Sequence, residues 1–265
     1  MMDYQFIKYE KRDCIAWVTI NRPEVMNALH VMANDELFEV WQDFDADPRL
    51  RVAVLTGAGE RAFSAGNDLK YTAELASTGE QTRPMSLGGL GGLTSPRFKL
   101  WKPVIAAVNG YALGGGFELA LACDIIIAAE HAQFGLPEPR VGLVAGAGGM
   151  HRLPRQLPMK VAMGLMLTGK RLSAQDAYRL GLANEVVPLP ELFSTAERWA
   201  SEIMECAPLA VQGSKQAATT GLDLPLEAAI SNSYSKVEAH MNSADRLEGI
   251  KAFVEKRTPQ WTGGN

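Results

Sequence analysis

Residues 102–128, KPVIAAVNGYALGGGFELALACDIIIA, place a glycine triplet and a helix signal between two strand-like apolar runs. PVIAAVNG (103–110) and CDIIIAAE (123–130) both read as strands, and Gly114 to Gly116 open the helix between them. Strand, turn, helix and strand in that order make a βαβ unit, which implies parallel pairing. Outward from this stretch the pattern repeats. CIAWVTINRP (14–23) and RVAVLTGAG (51–59) are strands, and VMANDELFEVWQDFDADP (31–48) between them carries apolar residues at helical spacing. Asn34 or Asp35 is the expected cap of that helix, and Pro48 its stop. The short HAQFGLPE comes after the strand at 123–130. Periodicity alone therefore predicts an α/β fold with a doubly wound parallel sheet. Beyond about residue 190 only helical spacing is found, from ELFSTAERWASEIMECAP to EGIKAFVEKRTPQW, so a helical C-terminal region is expected. SLGGLGGLTSP (86–96) reads as a mobile segment, either a lid or a long surface loop.

A chain of 265 residues with 47% hydrophobic and 21% charged residues can bury a sizeable core, which excludes disordered and fibrous classes. No apolar run reaches the ~18 residues of a membrane helix. The opening MMDYQFIKYEKRD alternates charged and apolar residues and lacks a secretory signature, so a cytoplasmic protein is expected. Cys14, Cys123 and Cys206 are widely spaced and odd in number, which speaks against a disulfide framework or a zinc site. A net charge of −4 supplies no basic footprint for nucleic acid.

At Gly114–Gly116 the backbone N–H groups of a helix start point outward, a setting that favours an anion or a developing oxyanion. The stretch does not match GxGxxG, and no Lys-Ser/Thr comes after it, which excludes a Walker A loop. The bland alternative is that these glycines only let a helix pack tightly on a strand. A second strand-to-helix turn, RAFSAGNDL (61–69), puts Ala65 and Gly66 in a tight turn, with Asn67 or Asp68 able to cap the next helix. One N–H from each turn, aimed at one oxygen, would make an oxyanion hole. Ser64 precedes Ala65-Gly66 much as in GxSxG, but Ala62 replaces the first glycine and no His or Asp is placed by a motif, so a nucleophilic serine is not supported. In FGLPEPRVGLVAGAGG (134–149), Glu138 sits between Pro137 and Pro139. Glu118 and Glu138, carried by neighbouring elements, can divide general acid and general base work. Taken singly, Glu118 would read as a capping or ion-paired side chain and Glu138 as a loop charge.

NRPEVMNAL, RAFSAGNDL, KPVIAAVNGYALGGGFELALACDIIIA, FGLPE with GAGGMHRLPR, LTGKRLSAQDAYRLGLANEVVP and EGIKAFVEKRTPQW together resemble the crotonase (enoyl-CoA hydratase/isomerase) superfamily nearly end to end. The resemblance implies a spiral of ββα units with two roughly perpendicular sheets in place of the doubly wound sheet. It implies a core over residues 1–195, and a helical subdomain over 196–265 that serves oligomerisation and closes the CoA site. A homotrimer or dimer of trimers is expected.

The implied substrate is an acyl-CoA thioester, with coenzyme A part of the substrate and no separate cofactor. Carried over, the oxyanion hole falls on the N–H groups of Ala65 and Gly115. Glu118 and Glu138 hold one water, Glu138 as the proton donor to C2 and Glu118 as the group that positions and activates the water. The implied activity is that of an enoyl-CoA hydratase or dehydratase (a hydro-lyase) of fatty acid metabolism, with an isomerase or an acyl-CoA hydrolase of the same fold as alternatives. Ala65, Gly66, Asn67, Asp68, Leu69 and Gly115 are the expected substrate and CoA contacts, joined by Phe253 and Lys256, which close over the nucleotide in this chain or a neighbouring one. No metal is implied, and none of His30, His131, His151 and His240 has ligand spacing. Residues 71–101 and 140–147 are expected to line the acyl pocket. Pro139-Arg140 and Leu143–Gly149 differ from the short-chain fatty-acid hydratase form and suit a carnitinyl-like, aromatic or alicyclic acyl group equally well.

Overall fold

The computed structural model describes residues 4–78 and 85–263. The chain opens with β1 (Ile7–Arg12), β2 (Ile15–Ile20) and α1 (Val31–Ala46), and then repeats one unit. β3 (Val52–Gly57), β4 (Ala62–Ser64) and α2 (Leu69–Thr78) form its first copy, and β5 (Val104–Val108), β6 (Tyr111–Leu113) and α3 (Gly115–Ala122) its second. β7 (Ile125–Ala129), β8 (Gln133–Gly135) and α4 (Gly149–Gln156) form the third. α5 (Met159–Thr168), β9 (Arg171–Ser173), α6 (Ala174–Arg179) and β10 (Glu185–Val187) come next, and then α7 (Leu192–Met204), α8 (Pro208–Gly221), α9 (Leu226–Ser231), α10 (Ser235–Met241) and α11 (Ala244–Glu255).

The first strand of each unit joins one sheet and the second joins another. The larger sheet has the order β1-β2-β3-β5-β7-β10, and the smaller the order β4-β6-β8-β9. Only β1 in the larger sheet and β9 in the smaller run antiparallel to their neighbours. Each ββα turn thus adds one strand to each sheet, and the doubly wound sheet expected from periodicity is replaced by two mixed sheets. Strand periodicity does not distinguish these outcomes, because the strands of the second sheet are three residues long. β1, β9 and β10 went unread for related reasons. β1 is charged and mostly exposed, and the other two are too short to show a period.

The central strands are apolar without alternation because both faces of the larger sheet are covered. Ala16, Val18, Ala53, Leu55, Ala106 and Val108 face the main core with Leu37, Trp41 and Phe44 of α1. The intervening Ile15, Val52, Val54, Ile105 and Ile127 pack under Leu192, Ala196 and Ala200 of α7. The expected boundary at 195/196 therefore falls inside a helix whose apolar face completes the core.

The cap of α1 is His30, whose Nδ1 accepts the N–H of Ala33, rather than Asn34 or Asp35. Asn34 is turned instead to the glycine-rich segment, where its Oδ1 accepts the N–H of Gly91, while Trp41 Nε1 donates to the Gly91 carbonyl. Leu90, Gly91 and Gly92 are buried in a short 3-10 turn. This part of 86–96 is an anchored wall of the molecule, not a mobile lid. No described helix is long and apolar enough to cross a membrane.

Candidate active site

The two strand-to-helix turns singled out in the sequence lie against each other. Gly66 has φ +84°, and a Cβ there would stand 2.5 Å from the Gly115 nitrogen and 2.8 Å from the Leu113 carbonyl oxygen, so only glycine permits the approach. Gly114 has φ 54° and ψ −128°, a conformation that L side chains rarely adopt, and a Cβ there would meet Glu138 Oε1 at 3.0 Å. Gly116 serves packing, since a Cβ on it would overlap the Ser64 carbonyl at 2.0 Å. The triplet thus performs both roles weighed in the sequence, helix packing at Gly116 and an outward helix start at Gly114–Gly115.

The N–H of Ala65 is not available for an oxyanion, because it donates to the Met26 carbonyl at 2.9 Å. This corrects the expectation for Ala65. The free donor in that turn is two residues on, at Asn67. Gly66 C=O accepts from Leu29 N–H, Asp68 N–H donates to Leu29 C=O, and Asn67 forms the parallel bridge between them. In such a bridge the backbone of the middle residue points to the other side. Asn67 and Gly115 donate to no other described residue, and both line the same cavity. The distant partner, Met26, lies with Asn27 in left-handed backbone within NRPEVMNAL. Asn27 side-chain hydrogen bonds to the carbonyls of Ala58 and Ala62 hold that loop under the turn. Ser64 is fully buried, donates to the Asn27 carbonyl and accepts from Gly66 N–H, which is a structural role.

The cavity has a volume of about 330 Å³, and Glu118 and Glu138 both reach it. Glu118 is the fourth residue of α3 and is 3% exposed, with Oε1 accepting the Gly149 N–H at 2.8 Å. Burial raises its pKa to about 7, against the hydrogen bond from Gly149, and the charge of Glu138 pushes the same way. Glu138 follows Pro137 in a 3-10 turn. Burial raises its pKa as well, and its Oε2 has no hydrogen-bond partner among the described residues. Two carboxyl groups that line one cavity and are both held above their ordinary range can exchange protons with a molecule bound there.

Ala65, Asn67, Leu69 and Gly115 line the cavity with the glutamates, while Gly66 lies beneath it. Asp68 is turned away. Its Oδ2 accepts from Arg22 and its Oδ1 caps α2 at Tyr71 N–H, and despite burial these partners keep its pKa low. Met85 and Leu90 from the 71–101 range, and Val141, Leu143, Val144, Gly146 and Ala147 from 140–147, complete the walls. Phe253 and Lys256 are not among them. Phe253 is 85% exposed, and Lys256 ends α11 beside Arg51 and Trp261, so this chain alone does not bring them to the glutamates. No cluster of potential metal ligands occurs among the described residues.

The sequence profile of the enoyl-CoA hydratase/isomerase family matches residues 10–264. The chain is 44% identical over 259 residues to the (E)-benzylidenesuccinyl-CoA hydratase of Thauera aromatica, covering 97% of this chain and 99% of that one. It is 45% identical over 250 residues to the carnitinyl-CoA dehydratase of Escherichia coli K12, covering 93% and 94%. Among solved structures, an enoyl-CoA hydratase from Mycobacterium tuberculosis H37Rv superposes with a TM-score of 0.90 at 39% identity, covering 97% of this chain and 99% of that one.

Proposed function

The chain belongs to the enoyl-CoA hydratase/isomerase family, and from that premise we propose how its residues carry out the chemistry. It is a hydratase or dehydratase, a hydro-lyase acting on a CoA thioester. The observation that carries our reading is the pairing of Glu118 and Glu138 in one cavity beside two uncommitted backbone N–H groups.

The thioester carbonyl oxygen lies between the N–H groups of Asn67 and Gly115, which form the oxyanion hole. When water adds to C3, its electron pair forms the C3–O bond and the π electrons move through C2 onto the carbonyl oxygen, giving an enolate. Preorganised donors at that oxygen lower the barrier by roughly 3–4 kcal/mol each. Glu118, with a pKa of about 7, positions the water and takes its proton. Glu138, whose carboxyl burial pushes above the ordinary carboxylate range, donates a proton to C2 as the enolate collapses. One water is consumed, and dehydration runs the same steps backwards. Coenzyme A belongs to the substrate and no further cofactor takes part.

The exposed backbone of Asn67 and Leu69 receives the CoA moiety. Phe253 and Lys256 reach a nucleotide only across a subunit boundary, in a homotrimer or dimer of trimers. The exposed Leu226, Ile230, Leu247, Ile250 and Val254 on α9 and α11 support such self-association. The helices after α7 are assigned to oligomerisation, and the core, which α7 completes, to catalysis. Free thiols at Cys14, Cys123 and Cys206 suit a cytoplasmic setting. Fatty acid metabolism is the broad role proposed.

Reaction of a 2-enoyl-CoA in H₂¹⁸O tests the chemistry. The label is expected on the C3 hydroxyl. A dominant unlabelled 3-enoyl product, or release of free CoA thiol, would replace this reading with isomerisation or thioester hydrolysis.

A further inference from the structure

A second cavity, of about 810 Å³, adjoins the one that holds the glutamates, and the two share Met85, Leu90, Gly146 and Ala147 as a common wall. Its character is different. Arg97, Arg152 and Arg155 line it with His151, and Asp223 is the one carboxylate among its described lining residues. Asp223 lies 3.6 Å from Arg155 and offsets that guanidinium in part. Arg152 is half-buried and donates to the carbonyl oxygens of Ala147 and Thr94, which are neutral acceptors. The Arg97 guanidinium has no ion pair or hydrogen bond to any described residue. A chain whose net charge is −4 has therefore gathered a surplus of about two positive charges, by the three arginines and one aspartate just named, in one concavity next to its reaction site. The half-buried Arg152 lies close enough to Glu118 for their charges to attract, so the cations left for a ligand are the exposed Arg97 and the partly offset Arg155 at the rim, and a planar carboxylate fits the paired N–H donors of such guanidinium groups.

The direction of the acyl chain links the two cavities. With the thioester carbonyl at Asn67 and Gly115 and C2–C3 between the glutamates, the part of the acyl group beyond C3 runs toward the Leu143–Ala147 and Met85–Leu90 walls, which lead to the arginines. We infer that the substrate is a CoA thioester whose acyl group carries a second carboxylate beyond the reacting carbons, received by Arg97 and Arg155 at the mouth of this second cavity. This inference rests on the hydratase reading above and adds the substrate class to it. A neutral tail would leave the cations without a partner, and a quaternary ammonium tail would be repelled.

The test compares three sets of 2-enoyl-CoA thioesters matched in length from C5 to C8 and ending in a carboxylate, a carboxamide or a trimethylammonium group. In the wild-type protein the carboxylate series is expected to exceed the carboxamide series in kcat/KM by at least ~10-fold at its best length, with the trimethylammonium series lowest, and the advantage should shrink as ionic strength rises. In Arg97→Gln and Arg155→Gln the carboxylate-to-carboxamide ratio should fall toward one, and Arg97→Lys should restore part of it. Displacement binding of the corresponding saturated thioesters reads the same preference without turnover. Hydration of all three series at equal efficiency would overturn the inference while leaving the hydratase reading intact. Absence of hydration with tighter binding of the carboxylate series would sink the hydratase reading and keep the anionic subsite. An equal loss for all tails in Arg97→Gln would assign that arginine to the CoA phosphates and overturn the inference as well.

Discussion

Replacing Glu118 by Gln removes a titrating group from a buried position without removing the oxygen that accepts the Gly149 N–H, so its effect on stability can be worked out beforehand. Burial raises the Glu118 pKa from an ordinary 4.5 to about 7. At ~1.4 kcal/mol for each tenfold change in ionisation constant, that is on the order of 3 kcal/mol. The sign depends on which state holds the proton. Between pH 4.5 and about 7 the unfolded chain has released it while the folded chain still binds it, so the stabilisation this group contributes at low pH is lost as pH rises through its folded pKa. Gln at this position does not titrate. Relative to wild type, Glu118→Gln should therefore gain stability between pH 5 and pH 8, by about 3 kcal/mol, while kcat falls by at least ~10²-fold. Urea denaturation at several pH values, at one fixed protein concentration so that association is held constant, measures the difference between the two proteins. A difference that stays flat across this range would show that burial does not raise the Glu118 pKa, and its assignment as the acid/base group near neutral pH would lose its physical basis.

Glu138→Gln should lower kcat by at least ~10²-fold with little change in KM in steady-state hydration assays, as expected for a lost proton donor. Replacing a backbone amide by an ester separates the two candidate oxyanion donors. At Asn67 it should reduce kcat/KM by roughly 10²–10³-fold, whereas at Ala65 it should leave kcat/KM near wild type and lower stability by about 1–3 kcal/mol through the orphaned Met26 carbonyl; the reverse pattern would reinstate Ala65. Asn34→Ala strands the buried N–H of Gly91, so thermal unfolding should register a loss of about 1–3 kcal/mol, and the shifted Leu90 wall should raise KM more than it lowers kcat.

What the sequence determined by itself is what short-range chemistry encodes. The apolar runs at 51–59, 103–110 and 123–130 read as strands, the glycines at 66 and 114–116 as strand-to-helix turns, and the flanking prolines already restricted the backbone at Glu138. Those features placed both glutamates and both turns at one site, and the resemblance supplied the spiral and the thioester. The tertiary structure decided whatever depends on partners far along the chain. Which N–H of the SAGND turn is free depends on Met26 and Leu29, about forty residues away, because a bond from Ala65 to one carbonyl and a bridge from Asn67's neighbours to another settle the direction of each donor. The glycine-rich segment became a wall because Asn34 and Trp41 reach it from α1, and no local pattern signals a hydrogen bond across fifty residues. Arg97, Arg152 and Arg155 look like scattered surface charges in sequence. Only the folding of α4 beside the 94–97 loop gathers them into one cavity, since a charge is located by the backbone that carries it and not by its neighbours in the chain.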